Sequence, residues 1–295
     1  MKRVFLHSPA KVNLWLEVLD KRKDGYHNIE SIIDTVSLYD RISLQETPGR
    51  IEVSSDGLKI PQKKNLVYQA ALLLKSELKI KDGVKIKVEK SIPLSSGLGG
   101  GSSDAATTLL GLNKLWKINL TYERLIDLAA KLGSDVPFFI KKGRCLVRGR
   151  GELVSPLSSS PKIWYVIVVP KISVSTKIVY RQLGRNLTQR KNSIKILSAI
   201  NQGDLEKIGR EIFNRLEEVS LEKYPMIRSF KEGLKKSGAL AVLMSGSGGA
   251  LFGIARSKED ACLIASRLKK GKVFVVGSQQ NRASDEQLKG DKDGN

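Results

Sequence analysis

The segment Pro93-Leu94-Ser95-Ser96-Gly97-Leu98-Gly99-Gly100-Gly101-Ser102-Ser103 has the plainest chemical purpose in the chain. Its glycines let the backbone curl so that successive N–H groups point inward. A helical pattern opens directly behind them, adding unsatisfied amides and the positive end of a helix dipole. Such a loop cradles an anion, phosphate above all; the alternative is an ordinary glycine-rich strand-to-helix turn. Three familiar nucleotide motifs are excluded. Ser102 follows Gly101 where a P-loop would have lysine. The spacing G-x-G-x-x-G starts at Gly97 and Gly99 but meets Ser102 in place of its third glycine. The His-Arg-Asp and Asp-Phe-Gly elements of protein kinases do not occur in the sequence.

Two charged residues stand in apolar settings. Lys11, Asn13, Trp15 and Glu17 alternate with Val12, Leu14, Leu16 and Val18, a period of two that predicts a strand. A lysine inside such a strand costs desolvation unless an anion meets it. An edge-strand lysine reaching water would fit the pattern equally well. Asp135 follows Gly133-Ser134 and precedes Val136-Pro137-Phe138-Phe139. It is a carboxylate placed for chemistry or a helix N-cap, since Asp before Val-Pro suits that position. Tyr26 and His27 leave an Asp24-Gly25 turn, where aromatics pack more often than they bind. The Ser102 and Ser103 hydroxyls touch phosphate or Mg²⁺, or cap the helix; Asp104 favours the helix start or reaches a metal. Gly246, Gly248 and Gly249 bring backbone close to a ligand, or make only a tight turn between strands.

Other chemistries are poorly served. The two cysteines, Cys145 and Cys262, are far apart, and the two histidines are His7 and His27, so no zinc-ligand pair or disulfide framework is expected. A metal, if used, must be a hard cation held by oxygens and phosphates.

The elements that must position these residues follow from periodicity. Two long strands fill the first fifty residues, joined by the Asp24-Gly25 turn. Asn65 to Leu78 is an amphipathic helix with Leu66, Ala70, Leu73, Leu74 and Leu78 on one face. A strand from Val84 to Val88 leads into the glycine loop, a helix runs from about Ser102 to Leu115, and another runs from Tyr122 to Leu132 with Thr121 as N-cap. The Ser/Pro-rich stretch from Glu152 to Pro161 is the best domain boundary. Ile163–Val169 then predicts a strand. Helical patterns follow at Ser175–Leu183, Ser193–Asn201, Leu205–Leu216 and Leu221–Ser237, and strand, turn, strand, helix and strand run from Ala239 to Val276. The expected division is 1–155, 156–278 and a flexible tail at 279–295. Strands and helices without strict alternation indicate an α+β chain in two lobes.

The chain has 295 residues, 41% hydrophobic and 27% charged, enough to bury real cores. Its 51 Lys+Arg against 30 Asp+Glu give a net charge of +21, which draws anions. The lysines are scattered rather than interleaved with aromatics, so a dedicated nucleic-acid role is not expected. No stretch approaches the roughly 20 apolar residues of a membrane span, and the short apolar start is no signal peptide, so a cytoplasmic protein is expected.

Read with Ser8-Pro9-Ala10-Lys11-Val12-Asn13-Leu14 and Met244-Ser245-Gly246-Ser247-Gly248-Gly249-Ala250-Leu251-Phe252, the loop resembles, in order, the three motifs of the GHMP kinases. These enzymes phosphorylate small metabolites. Asp24-Gly25-Tyr26-His27, Gly97 to Ser103 and Leu132-Gly133-Ser134-Asp135-Val136-Pro137-Phe138-Phe139 are similar to one branch of that family. That branch acts on a cytidine-diphosphate-linked methylerythritol in the non-mevalonate (MEP) isoprenoid route. The resemblance covers roughly Phe5 to Gly277. It implies a two-lobe fold, with a ribosomal protein S5 domain 2-like N-lobe, an α/β C-terminal lobe and the active site in the cleft between them. It implies ATP and Mg²⁺ as cofactors and ATP and the cytidine compound as ligands, with neither membrane nor nucleic acid, in a monomer or homodimer.

The same resemblance assigns roles. Lys11 and Asp135 are catalytic, Asp135 taking the proton of the substrate hydroxyl with the lysine beside it. Pro93 to Ser103 binds ATP. Asn13, Tyr26, His27, Tyr180, Gly246 and Gly248 bind the substrate, with Tyr26 and Tyr180 stacking on cytosine and His27 at its edge. Two other readings are kept open: a family kinase for homoserine or mevalonate-type alcohols, and a non-catalytic RNA-binding protein. The second explains the charge but leaves Lys11 and Asp135 without a purpose. Two stretches depart from the family's pattern. Arg148-Gly149-Arg150-Gly151-Glu152 is unusually basic, and Gly249-Ala250 stands where a hydroxyl residue is commoner.

Overall fold

One long hairpin frames the molecule. β1 (Arg3–Lys21) and β2 (His27–Thr47) pair antiparallel from Arg3 opposite Gln45 to Lys21 opposite His27. The expected turn closes it, with Gly25 at φ 85° and the Tyr26 N–H donating to Asp24 Oδ1 at 3.1 Å. The computed structural model describes residues 2–56, 60–157, 161–183 and 191–279.

β3 (Ile51–Ser55), β4 (Gly83–Glu89), β5 (Arg144–Arg148) and β6 (Leu153–Pro156) complete the first sheet, together with the two-residue β8 (Phe213–Asn214). Its order is β3-β4-β2-β1-β8, with β5 beside β2 and β6 beside β5. α1 (Leu66–Glu77), α2 (Gly100–Leu115), α3 (Tyr122–Leu132) and α4 (Val136–Lys141) bury their apolar stripes in a core with β2 and β4. Asn65 caps α1 by accepting from the Val67 N–H, and Thr121 caps α3 through the Arg124 N–H.

The second sheet is antiparallel: β11 (Lys272–Gly277), β7 (Trp164–Val169), β10 (Leu251–Ala255) and β9 (Ala241–Met244) in that order. α5 (Thr176–Leu183), α6 (Ile194–Gln202), α7 (Leu205–Glu211), α8 (Arg215–Lys223), α9 (Met226–Lys236) and α10 (Lys258–Ser266) accompany it. A shared core joins the sheets: Ala10, Val12 and Leu14 from β1 meet Tyr165, Ile167 and Phe252. This is the two-lobe α+β arrangement the sequence implied.

The structure corrects several boundaries. Helix α2 starts at Gly100 rather than Ser102. The pattern read as one helix over Leu205–Leu216 ends at Glu211, because Phe213 turns extended, pairs parallel with Trp15 and packs its ring 5.1 Å from the indole. Aromatic burial on a strand outweighs helical periodicity there. The pattern from Leu221 to Ser237 is likewise two helices, broken at Tyr224-Pro225, where the residue before proline disfavours helix. The expected tail lies outside the described residues except for Gln279, whose N–H donates to the Thr35 carbonyl at 2.9 Å.

Candidate active site

The glycine loop crosses from β4 to α2 and stands at the seam of the lobes. Gly97 and Gly99 take φ of 81° and 75°, the left-handed region that favours glycine. Gly99 heads α2 without any side-chain cap, so the first amides of the helix are left for an anion. Ser96 donates its hydroxyl to the Pro93 carbonyl at 2.7 Å, which folds the loop back on itself. The loop's underside is fastened to the C-terminal half: the Ala250 N–H donates to the Ser96 carbonyl at 2.8 Å, and Ser245 Oγ to the Gly97 carbonyl at 3.0 Å.

Lys11 lies where the two glycine-rich segments meet. β8 pairs only with Trp15 and Leu16, so at Lys11 the free edge of β1 is covered by the glycine loop, and an edge lysine reaching water is not what the structure shows. The side chain is 3% exposed. Its backbone N–H donates to the Leu98 carbonyl at 3.0 Å. Its Nζ donates to Asn13 Oδ1, and Asn13 is itself oriented by donating to Ser31 Oγ at 3.0 Å. A methyl group on Gly246 would come within 3.1 Å of Nζ, and one on Gly99 within 3.1 Å of the lysine's Cγ. Gly246 therefore leaves room for the ammonium, and Gly99 for the lysine's stem. Burial lowers the Lys11 pKa, and the negative charge of Asp135 opposes part of that shift.

Asp135 precedes α4, but its side chain makes no capping bond, so the carboxylate is not spent on the helix. Its charge also reaches Tyr180, whose phenol is raised chiefly by burial and further by Asp135. Tyr180 comes from α5, across the cleft, and its ring centroid lies 5.4 Å from that of His27. Lys11, Asp135, Tyr180 and His27 thus share one cleft with the glycine loops. Tyr26 is 52% exposed, and one face of its ring lies 5.3 Å from the Arg150 guanidinium. The rings of His27 and Tyr180 are tilted by 36° to one another.

Models of two families match the chain: GHMP kinases N terminal domain over residues 65–143, and GHMP kinases C terminal over 196–272. The chain is 47% identical over 255 residues to a 4-diphosphocytidyl-2-C-methyl-D-erythritol kinase of Geobacillus thermodenitrificans, covering 85% of this chain and 88% of the relative. It is 44% identical to the enzyme of that name from Bacillus cytotoxicus, with the same coverage. A crystal structure of 4-(cytidine 5'-diphospho)-2C-methyl-D-erythritol kinase superposes with a TM-score of 0.81 at 33% identity, over 93% of this chain and 99% of that one. A crystal structure of L. major mevalonate kinase in complex with R-mevalonate reaches 0.74 at 22% identity, over 95% and 98%, and shows the shared fold. The chain belongs to the GHMP kinases.

In this GHMP kinase, adjacent serines part company. Ser102 stays half-buried at the start of α2, whereas Ser103 is fully buried and bonded to Ser8 Oγ at 2.8 Å. The Ser103 N–H is used within the helix, on the Gly99 carbonyl, and its hydroxyl accepts from Ser8. The Leu98 side chain is buried as well. Asp104 neither caps nor faces the loop: it pairs with Lys90 at 2.7 Å, and Lys90 also holds Asp40. Burial pushes the Asp104 carboxyl up to about 7, Lys90 opposing. Asp40 accepts from the Ser91 and Ile92 N–H groups at 2.6 and 2.8 Å, pinning the entry to the loop.

Sequence reasoning passed over Asp40, Lys90 and Asn214. Asn214 Nδ2 donates to the Met244 and Gly246 carbonyls at 2.8 and 2.7 Å, fixing the second glycine loop against Lys11. An asparagine of N-cap type directly before Arg215 was the available signal, and its Oδ1 does accept from the Leu216 N–H. Gly248 sits in the same loop at φ 103°, packed on the Met244 side chain.

Proposed function

We infer that this kinase transfers the γ-phosphoryl group of ATP to the 2-hydroxyl of 4-diphosphocytidyl-2-C-methyl-D-erythritol, a step of the MEP route to isoprenoid precursors. The observation that carries the reading is the buried Lys11 ammonium, within reach of Asp135's charge and closed in by both glycine loops. Phosphoryl transfer needs positioning, stabilisation of charge on the moving group, and a base near the attacking hydroxyl. Asp135, not engaged as a cap, accepts that proton. Lys11 steadies the charge that develops. The backbone of the 93–102 loop and the open start of α2 seat the phosphates. Tyr26 and Tyr180 take the two faces of the cytosine and His27 its edge. Asn13, Gly246 and Gly248 shape the acceptor side around Lys11.

Mg²⁺ would be held together with the nucleotide in this scheme. Among the described residues no group of three acidic, His or Cys side chains could hold a metal. The residues therefore suit a cation carried on phosphate oxygens, with the Ser102 hydroxyl as the chain's own ligand. Its chemistry there is charge neutralisation. We also take 1–155 and 156–278 as the two folding units, with the site between them. Among the described residues no helix is long and apolar enough to cross a membrane.

The test is ADP release with Mg-ATP and the cytidine compound, run beside homoserine and mevalonate. Turnover is expected only with the cytidine compound. Asp135→Asn is expected to lower kcat by about 10²–10⁴-fold. Turnover on either other alcohol would overturn the substrate assignment, and an unimpaired Asp135→Asn would remove the base.

A further inference from the structure

The basic stretch around Arg150 has no place in the scheme above, yet it is built into the acceptor end of the cleft. Its two arginines differ. Arg148 is exposed and pairs with Glu30 at 2.9 Å, an ordinary surface contact. Arg150 is half-buried, and its Nη2 donates to the Ala130 carbonyl near the end of α3 at 2.9 Å. From that anchor its guanidinium covers one face of the Tyr26 ring, 5.3 Å from the centroid. The turn carrying it is tight on three sides. The Gly149 carbonyl accepts from the Ile29 N–H at 2.7 Å, two residues beyond His27. The Arg150 N–H donates to Glu152 Oε2 at 2.8 Å. Gly151 lies so close to Ser134 that a Cβ would fall 2.6 Å from its carbonyl oxygen, one residue before Asp135.

We propose that Arg150 is a positioning residue for the acceptor: it backs the Tyr26 ring so that the ring's other face meets the pyrimidine at a fixed place relative to Asp135. The hairpin tip fixes the Tyr26 backbone, whose carbonyl accepts from the Arg22 N–H at 2.8 Å, but leaves its ring half-exposed. The Tyr26 N–H bonds to Asp24, which is exposed, and half of the tyrosine surface is open to water. A cation over the far face holds the ring by its quadrupole and leaves the near face free for offset stacking. The turn that delivers this cation also touches the residue preceding the base, so nucleobase seat and proton acceptor share one support. The inference rests on the cytidine-compound reading and adds a residue to it.

The experiment measures KM for the cytidine compound, KM for ATP, kcat and Tm in the full chain. The variants are Arg150→Met and Arg150→Lys, and Arg150→Met again in a Tyr26→Leu background. Arg150→Met is expected to raise the acceptor KM about threefold to tenfold, the range of a partly desolvated cation–π contact, and to leave the ATP KM unchanged. Arg150→Lys should recover part of that loss. With Tyr26 already replaced, removing Arg150 should add nothing. An acceptor KM indifferent to Arg150, or an equal rise in both backgrounds, overturns the proposal, as does a rise in both KM values. A wild type inert toward the cytidine compound overturns the functional reading itself, and this inference with it.

Discussion

Lys11 shows how one residue type in one setting fixes a pH response. Burial lowers its pKa from 10.5, with Asp135 restoring only part. As pH rises through that lowered value the folded enzyme loses the ammonium, so the alkaline limb of kcat/KM should lie below 10.5. Unfolding is not the cause. Between the lowered and the ordinary value the unfolded chain binds more protons than the folded one, so this group makes stability rise with pH there. Activity should therefore fall in a window where Lys11's own contribution to stability increases. A pH–rate profile beside urea unfolding at the same pH values checks this, and Lys11→Arg should shift the limb upward. A limb at or above 10.5 would contradict it. The type and spacing of Lys11 were legible in the sequence, but its burial was not. Alternation predicts a strand with one wet face, and the face is covered by Gly246, more than two hundred residues away. The Ser102/Ser103 pair was illegible for a related reason: which serine points inward depends on where α2 starts, and Gly99 moved that start to Gly100.

At the scale of elements, the two glycine segments hold each other, and their glycines serve different ends. A Cβ on Gly97 would fall 2.2 Å from the Ser245 carbonyl oxygen and 3.1 Å from that of Gly248, at φ 81°. Both neighbours are backbone and cannot yield. Gly97→Ala should cost about 1–3 kcal/mol of stability from backbone strain alone and raise the ATP KM as the loops part. Gly101 is the contrast, since a Cβ there meets only Leu66 Cδ1, at 3.9 Å. Gly101→Ala should leave stability within about 0.5 kcal/mol, as a substitution away from packed features does. A rise in its ATP KM would then report the approach of phosphate itself. Urea unfolding and ATP titration of both variants separate packing from binding. A stable Gly97→Ala with normal ATP KM would end the interlocking argument. Glycine spacing made the loops legible, whereas their contact was not, because no local signal links residues 97 and 245. Local signals also misled where tertiary contacts override them: Ile212-Phe213-Asn214 continues a helical pattern but serves as a strand against β1.

Across the whole molecule, the site lies at a seam, so its geometry depends on what joins the lobes. Asp34 on β2 is fully buried and accepts from Arg144 Nη2 of β5 at 2.6 Å and from the Tyr165 hydroxyl of β7 at 2.7 Å. The first contact lies within one sheet and the second crosses to the other. Nothing in sequence pairs these three residues, since a buried polar cluster needs no periodicity and Asp34 is more than a hundred positions from both partners. The cluster is not fully satisfied, for Asp34 Oδ1 and Arg144 Nη1 are buried without a partner among the described residues. A buried ion pair of that kind holds geometry more than it adds stability. The two effects separate by substitution. Asp34→Ala strands the Arg144 charge and should cost about 3–5 kcal/mol. Asp34→Leu with Arg144→Met removes both charges and should cost clearly less than Asp34→Ala. Tyr165→Phe deletes one hydrogen bond between the sheets, worth about 0.5–1.5 kcal/mol. Urea unfolding and kcat of the wild type and the three variants decide the matter. A double variant as unstable as Asp34→Ala would mean that the pair stabilises the fold outright. A double variant restored in stability but impaired in kcat would show that the charges are kept to hold the two lobes, and hence Lys11 and Asp135, in register.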